Sequence, residues 1–260
     1  MAEAPKITRG DVTAFSKAQK TVIAEAQREL GMIWRETEGM DPARRRDVLI
    51  DLTQALVRKY GAADSTVAAE WYERLRARYF DDDFDTTLYE QDLAADRTLR
   101  QVIRARANLL FPDDPKYDPE GYLKYLSGGG ERGGHGHGRM TVVKNVKRDH
   151  SGVRYARVPQ GSYTCNFCFM LASRGFAYRS EETAASKAHD GDDCEPVPQF
   201  KKGTAEIKGY DPEKMGDMWD EAVKSLGDYD GSAKGRTNQI FAVLRQQHPD
   251  LFKDSDGHVH

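Results

Sequence analysis

Along the first half of the chain, apolar side chains recur at helical spacing. Between residues 11 and 35, Phe15, Val22, Ala26, Leu30 and Ile33 stand seven, four, four and three positions apart, which aligns them along one stripe of a helix. Asp41-Pro42 then supplies an N-cap followed by a proline at the first helical position. The helix this opens presents Val48, Leu52, Ala55, Leu56 and Tyr60, and Gly61 is its predicted stop. A third stripe carries Ala68, Trp71, Tyr72, Leu75 and Tyr79 and breaks at the acidic run Asp81-Asp82-Asp83-Phe84-Asp85, read as a solvated loop because it lacks the spacing of a calcium loop. Thr87 and Glu90 fit a capping box that opens a fourth helix, with Leu88, Ala95, Leu99, Val102, Ile103, Arg106 and Leu110 on its buried face.

The pattern changes at residues 127–138, Ser-Gly-Gly-Gly-Glu-Arg-Gly-Gly-His-Gly-His-Gly, a composition that favours no single backbone geometry and predicts a flexible joint. Gly128, Gly130 and Gly133 match the spacing of a dinucleotide-binding loop, but that loop needs a strand before it and a helix directly after it, and the pattern here predicts neither. His135 and His137 form a His-x-His pair inside the same polar stretch. Beyond it, residues 140–147 and 152–158 are rich in β-branched side chains and flank a turn-like Arg148-Asp149-His150-Ser151-Gly152, which predicts a β-hairpin. Near the end, Asp211-Pro212 caps a helix that shows Met215, Met218, Trp219, Ala222, Val223 and Leu226 on one face and stops at Gly227; a last helix presents Ile240, Phe241 and Leu244.

These elements predict an α+β protein: a helical domain over 1–126, a Gly/His-rich linker over 127–138, and a small mixed α/β domain over 139–260. The last would hold a Cys/His module at 154–200 and terminal helices at 210–250. At 260 residues the chain is long enough to bury a core without covalent staples. Lys and Arg number 39 against 42 Asp and Glu, for a net charge of −3, which excludes a globally basic nucleic-acid coat. A local basic excess does exist: Arg139, Lys144, Lys147, Arg148, Arg154 and Arg157 are candidate nucleic-acid contacts, with a charged outer face of the hairpin as the plainer alternative. Mean hydropathy is −0.75. No stretch approaches the roughly 18 apolar residues of a membrane span, and the opening Met1-Ala2-Glu3-Ala4-Pro5-Lys6 has no apolar signal-peptide core. The sequence therefore predicts a cytosol-like compartment and no membrane partner.

The most specific chemistry lies in three cysteines and one histidine. Cys165 and Cys168 form a Cys-x-x-Cys entering a short helix that Gly175 can end. After twenty intervening residues comes His189, and after four more Cys194. Two thiolates from one knuckle plus a distant His and Cys are four soft or borderline donors in two pairs, the donor set of a closed structural zinc site. Such a site leaves no position for water, so it is architecture rather than hydrolysis. Three other readings stay open: a dithiol redox pair, a Cys/His nucleophile built from Cys194 or Cys165 with His189, and inert buried thiols.

The run Arg157-Val158-Pro159-Gln160-Gly161, Thr164-Cys165-Asn166-Phe167-Cys168 and Met170-Leu171-Ala172-Ser173-Arg174-Gly175 resembles the Mu F-like minor head proteins of tailed phages, in the version found in phages and prophages of actinobacteria. In that family the Cys-x-x-Cys is followed by a His-Pro-x-Cys-x-Cys-like box and a Val-Pro segment. His189 matches the histidine of the box, Cys194 its last cysteine, and Pro196-Val197-Pro198 the segment after it. Asp190 stands at the proline position and Asp192 at the first box cysteine, so one usual thiol is replaced by a carboxylate. The resemblance covers residues 150–200. It implies a minor capsid protein of the virion, acting structurally in head morphogenesis in the capsid interior or beside the portal, and present in the host cytoplasm during assembly. Its implied partners are the portal protein, the major capsid protein and packaged viral DNA. One alternative function comes with it, a capsid maturation protease; a second, a DNA-contacting virion protein, rests on the basic residues from Arg139 to Arg157. The chain has no G-x-S-x-G elbow and no H-E-x-x-H pair to support the protease.

Overall fold

The computed structural model describes residues 5–90, 93–161, 163–180 and 194–252. Among the described residues the architecture is mixed α+β, mostly helical, with two small two-stranded sheets. In chain order the elements are β1 (Ile7–Thr8), α1 (Arg9–Glu36), α2 (Pro42–Arg76), α3 (Leu93–Arg104), a 3-10 turn (Ala107–Leu110), α4 (Pro119–Arg148), β2 (Arg154–Pro159), α5 (Asn166–Ala172), β3 (Cys194–Gln199), β4 (Ala205–Glu206), α6 (Pro212–Leu226), α7 (Ala233–Gln247) and a second 3-10 turn (Pro249–Leu251). No helix among the described residues is long and apolar enough to cross a membrane.

Short polar side chains start the helices. Thr8 and Asp11 cap α1 reciprocally, the Asp11 carboxylate accepting from the Thr8 amide at 2.9 Å. Asp41 Oδ1 accepts from the amides of Ala43 and Arg44 at the start of α2. Asp118 caps α4, Asp211 caps α6 and Ser232 caps α7 in the same manner. Each cap satisfies one or two of the amides that a helix start leaves without an intrahelical acceptor.

The chain divides into two compact units, one made of residues 17–73 and 85–141, the other of residues 1–16, 74–84 and 142–260. The first is helical. Its core gathers Leu30, Trp34, Leu49, Ile50, Leu56, Ile103, Ala107, Leu110, Tyr122 and Leu126. Along α2 the buried face is Leu49, Ile50, Leu56 and Val57, while Leu52, expected inside, is 39% exposed. The stripe is thus rotated from the one read off the sequence.

Two expectations about this unit are overturned. Gly61 does not end a helix; it lies within α2. The glycine-rich stretch 127–138 is not a linker either, since it runs inside the thirty-residue helix α4. Close packing calls for glycine at two of these positions, Gly61 and Gly138. A Cβ on Gly61 would lie 2.5 Å from Nδ1 of the buried His137, and a Cβ on Gly138 would lie 2.4 Å from Oδ2 of Asp64 and 2.5 Å from Nε2 of Gln19. Asp64 Oδ2 accepts from the Gly138 amide at 2.7 Å and from Gln19 Nε2 at 3.2 Å, while Thr141 donates back to the His137 carbonyl at 2.9 Å. Glycine costs about 1 kcal/mol per helical position relative to alanine; here the missing side chain is what lets the buried carboxylate reach the backbone.

The second unit holds both sheets. β1 pairs parallel with β4, and β2 pairs antiparallel with β3, Arg154 opposite Gln199 through to Pro159 opposite Cys194. The predicted hairpin between 140–147 and 152–158 is therefore corrected: its first arm is the end of α4, and the partner of β2 is β3. Arg139, Val142, Val143 and Val146 also fall at i, i+3, i+4 and i+7, and all four are buried, so helical burial outweighs β-branching. α4 ends where Arg179 donates to the carbonyls of Lys147, Asp149 and His150. Close by, the buried Asp149 carboxylate takes a two-pronged hydrogen bond from Arg76, Nε to Oδ2 at 2.9 Å and Nη2 to Oδ1 at 3.1 Å. A further core forms from Phe169, Ala222, Ile240, Leu244 and Phe252, joining α5 to the predicted terminal helices α6 and α7.

Gly138→Ala should lower stability by about 2 kcal/mol, the cost of overpacking a buried contact. Gly31→Ala, whose added Cβ meets nothing nearer than 3.8 Å, should be neutral or stabilising by up to about 1 kcal/mol. Chemical denaturation of the two variants measures the difference; equal midpoints would remove the packing account of α4.

Candidate metal centre

The sulfur cluster is built from three short pieces of the second unit. β3 opens on Cys194, whose backbone pairs with Pro159 at the end of β2. β2 is buried along Tyr155, Ala156, Arg157 and Val158, and β3 from Cys194 to Pro198, so the pair is covered on both faces. α5 starts at Asn166 with Cys165 as its N-cap. The Cys165 backbone is extended, and its sulfur accepts the Cys168 amide at 3.3 Å. The other end of α5 is secured by phenols: Tyr178 donates to the Leu171 carbonyl at 2.9 Å and Tyr210 to the Ala172 carbonyl at 2.8 Å. Burial pushes both phenols above their ordinary pKa, keeping them protonated donors.

This frame brings the cysteines together as thiols. Cys168 and Cys194 are fully buried, with sulfurs 2.9 Å apart. Cys165, which is half-buried, lies against Cys168 through the knuckle hydrogen bond. Arg157 is 5% exposed and aims its guanidinium at Cys194, with Nε 3.3 Å and Nη2 2.9 Å from the sulfur. The Cys168 thiol is pushed up by its hydrogen bonds to Cys165 and Cys194, with burial and the charges of both sulfurs adding to the effect. Burial alone would lower the Arg157 pKa. The charges of Cys194 and Cys168, the hydrogen bond to Cys194 and the Glu195 carboxylate outweigh it, so the guanidinium stays cationic.

Of the four ligands expected from the sequence, Cys165, Cys168 and Cys194 converge, whereas His189 lies outside the described residues, as do Asp190 and Asp192. Among the described residues no group of three Cys, His, Asp or Glu side chains has the geometry to hold an ion. Tetrahedral zinc with bonds of about 2.3 Å to sulfur sets neighbouring sulfurs about 3.8 Å apart. Seating an ion would thus require Cys168 and Cys194 to part by about 1 Å and a fourth donor to come from beyond the described residues. The donor chemistry suits zinc, and the buried guanidinium suits a site with excess thiolate charge.

The candidate nucleic-acid contacts are placed differently from one another. Arg139 is buried in the helical unit. In the other unit Lys144 is half-buried, and Lys147 and Arg148 are exposed near the end of α4. Arg154 turns back onto the carbonyls of Ser151 and Val153. Arg157 faces sulfur rather than solvent. Its role was missed in the sequence, yet a signal was present: a lone cation inside Tyr155-Ala156-Arg157-Val158 sits in a strand that reads as buried, and a buried cation requires a partner.

Arg157→Ala should destabilise the protein by about 3 kcal/mol, because it leaves a cavity and removes the cation facing Cys194. Arg154→Ala, at the more exposed end of the same strand, should cost less than about 1 kcal/mol. Guanidinium titration under reducing conditions compares them; similar midpoints would show that the Arg157 contact contributes nothing to stability.

No curated protein and no solved structure matches this chain. The sequence profile of the VG15 protein family matches residues 6–222, most of its length and all of the elements from β1 to β4. The chain belongs to the VG15 protein family and is accordingly a phage-related protein.

Proposed function

We propose that this protein is a minor head protein of the Mu F-like kind, a structural component of the phage capsid that acts in head morphogenesis beside the portal and the inner shell. Membership of a phage family over residues 6–222 is the observation that carries this reading. The Leu171-Ala172-Ser173-Arg174-Gly175 run and the Cys165-x-x-Cys168 knuckle add the likeness to minor head proteins. Its partners in this reading are the portal protein and the major capsid protein, with packaged DNA within reach in the finished particle. Quantitative mass spectrometry of purified procapsids and virions tests it. A few copies per particle, enriched with the portal, are expected; absence from both particles overturns the reading. Trimming of major capsid protein on co-expression, lost in Cys194→Ala with the fold intact, would also overturn it in favour of a maturation protease.

Within this function, Cys165, Cys168, His189 and Cys194 hold one structural zinc ion. The support is the donor chemistry: the Cys168 sulfur beside that of Cys194, the Cys165 knuckle next to it, and a buried cation on Cys194. Among the described residues β2 and β3 form a two-stranded sheet, an element marginal by itself, and a metal clasp of order 10 kcal/mol would make ion binding part of the folding energy of this region. The bound ion would neutralise thiolate charge and join the start of β3 to α5. Elemental analysis should find one equivalent of zinc in the purified protein and none in Cys168→Ser. Wild-type protein purified without chelator and free of zinc would remove the clasp.

A further inference from the structure

The same sulfurs carry a second chemistry. Cys168 occupies the middle of the cluster: its amide is tied to the Cys165 sulfur, and its own sulfur lies 2.9 Å from that of Cys194. Two buried thiols this close need only a small approach to reach the roughly 2.05 Å of a disulfide. Both are held on ordered backbone, one in the first turn of α5 and the other at the first residue of β3. Cys165 differs in being half-buried, which makes it the sulfur that an external reagent meets first.

We propose that the cation-free protein is a thiol–disulfide switch in which a small-molecule disulfide such as oxidised glutathione oxidises the cluster, and that the bond formed joins Cys168 to Cys194 rather than to its knuckle partner Cys165. The inference rests on the zinc reading only for the protection that a bound ion would give. The steps follow thiol–disulfide exchange. The Cys165 thiolate attacks one sulfur of oxidised glutathione, the glutathione S–S bond breaks, and one glutathione thiolate leaves. The Cys168 thiol attacks the Cys165 sulfur as its proton passes to the departing second glutathione. The Cys194 thiol then attacks the Cys168 sulfur as its proton passes to the departing Cys165, and the glutathione thiolate released first takes up a proton from solvent. Two protein thiols lose two electrons and two protons, and one oxidised glutathione becomes two reduced ones. The product lies where both of its sulfurs are fully buried, out of reach of the reduced glutathione that would reverse the reaction.

The test uses the full chain, stripped of metal by chelation, incubated with oxidised glutathione, alkylated and mapped by non-reducing peptide mass spectrometry. A linked Cys168–Cys194 peptide pair with Cys165 alkylated is expected, and Cys194→Ser should divert the product to a Cys165–Cys168 bond. Protein supplied with one equivalent of zinc should oxidise at least tenfold more slowly. A dominant Cys165–Cys168 bond in the wild type, or three alkylated cysteines, overturns the proposal. Protein that binds no zinc yet forms the Cys168–Cys194 bond removes the zinc reading and leaves this one standing; protein that binds zinc but never forms the bond does the reverse.

Discussion

A guanidinium with almost no access to water must face groups that accept its charge, and in this protein its hydrogen bonds go to a sulfur. Arg157 sits at 5% exposure with two nitrogens on Cys194. Desolvating the cation is costly, and only closely placed acceptors offset it. That requirement bears on every element nearby. β3 must begin at Cys194 alongside the end of β2, and α5 must present Cys168 to the same point. The tyrosines that hold the far end of α5 fix the helix that carries Cys168. Slipping the β2–β3 register by one residue would turn Arg157 or Cys194 to the opposite face, leaving the cation and the sulfurs apart.

The helical unit is organised by a different constraint, the reach of a buried carboxylate. Asp64 contacts the Gly138 backbone directly and binds Gln19 from another helix. The contact needs glycine at 138, and the neighbouring approach of α2 to His137 needs glycine at 61. Seven glycines between residues 127 and 138 would weaken an isolated helix. Here buried polar contacts and the apolar residues on either side of the stretch, Tyr122 and Leu126 before it and Val142, Val143 and Val146 after it, keep α4 continuous.

Beside its apolar cores, the fold draws specificity from buried polar contacts: Arg157 with sulfur, Arg76 with Asp149, Asp64 with Gly138. Such contacts tolerate few alternatives, because an unpaired buried charge costs several kcal/mol. They define the positions of a few short elements without a large sheet. A metal clasp, a disulfide, or each under different conditions would act on the same small region around β2, β3 and α5.

Local chemistry was legible in the chain itself. Asp41-Pro42, Asp211-Pro212 and Gly227 mark real helix ends, because a cap is a contact between residues two or three apart. The Cys-x-x-Cys knuckle and the short helix ending before Gly175 were visible for the same reason, and the spacing alone nominated Cys194 as a third sulfur. Only the tertiary structure decided what depends on distant partners. Gly138, read as part of a joint, lies in a helix where its missing side chain leaves room for Asp64, and Gly61, read as a helix stop, lies in a helix where it leaves room for His137. Valines that read as a strand became helix because their i, i+3, i+4 face is buried. Arg157, read as a surface cation, turned inward because Cys194, thirty-seven residues away, supplies its acceptor. Sequence determines what a residue can do with its neighbours along the chain; burial and long-range contact decide which of those options survives the loss of water.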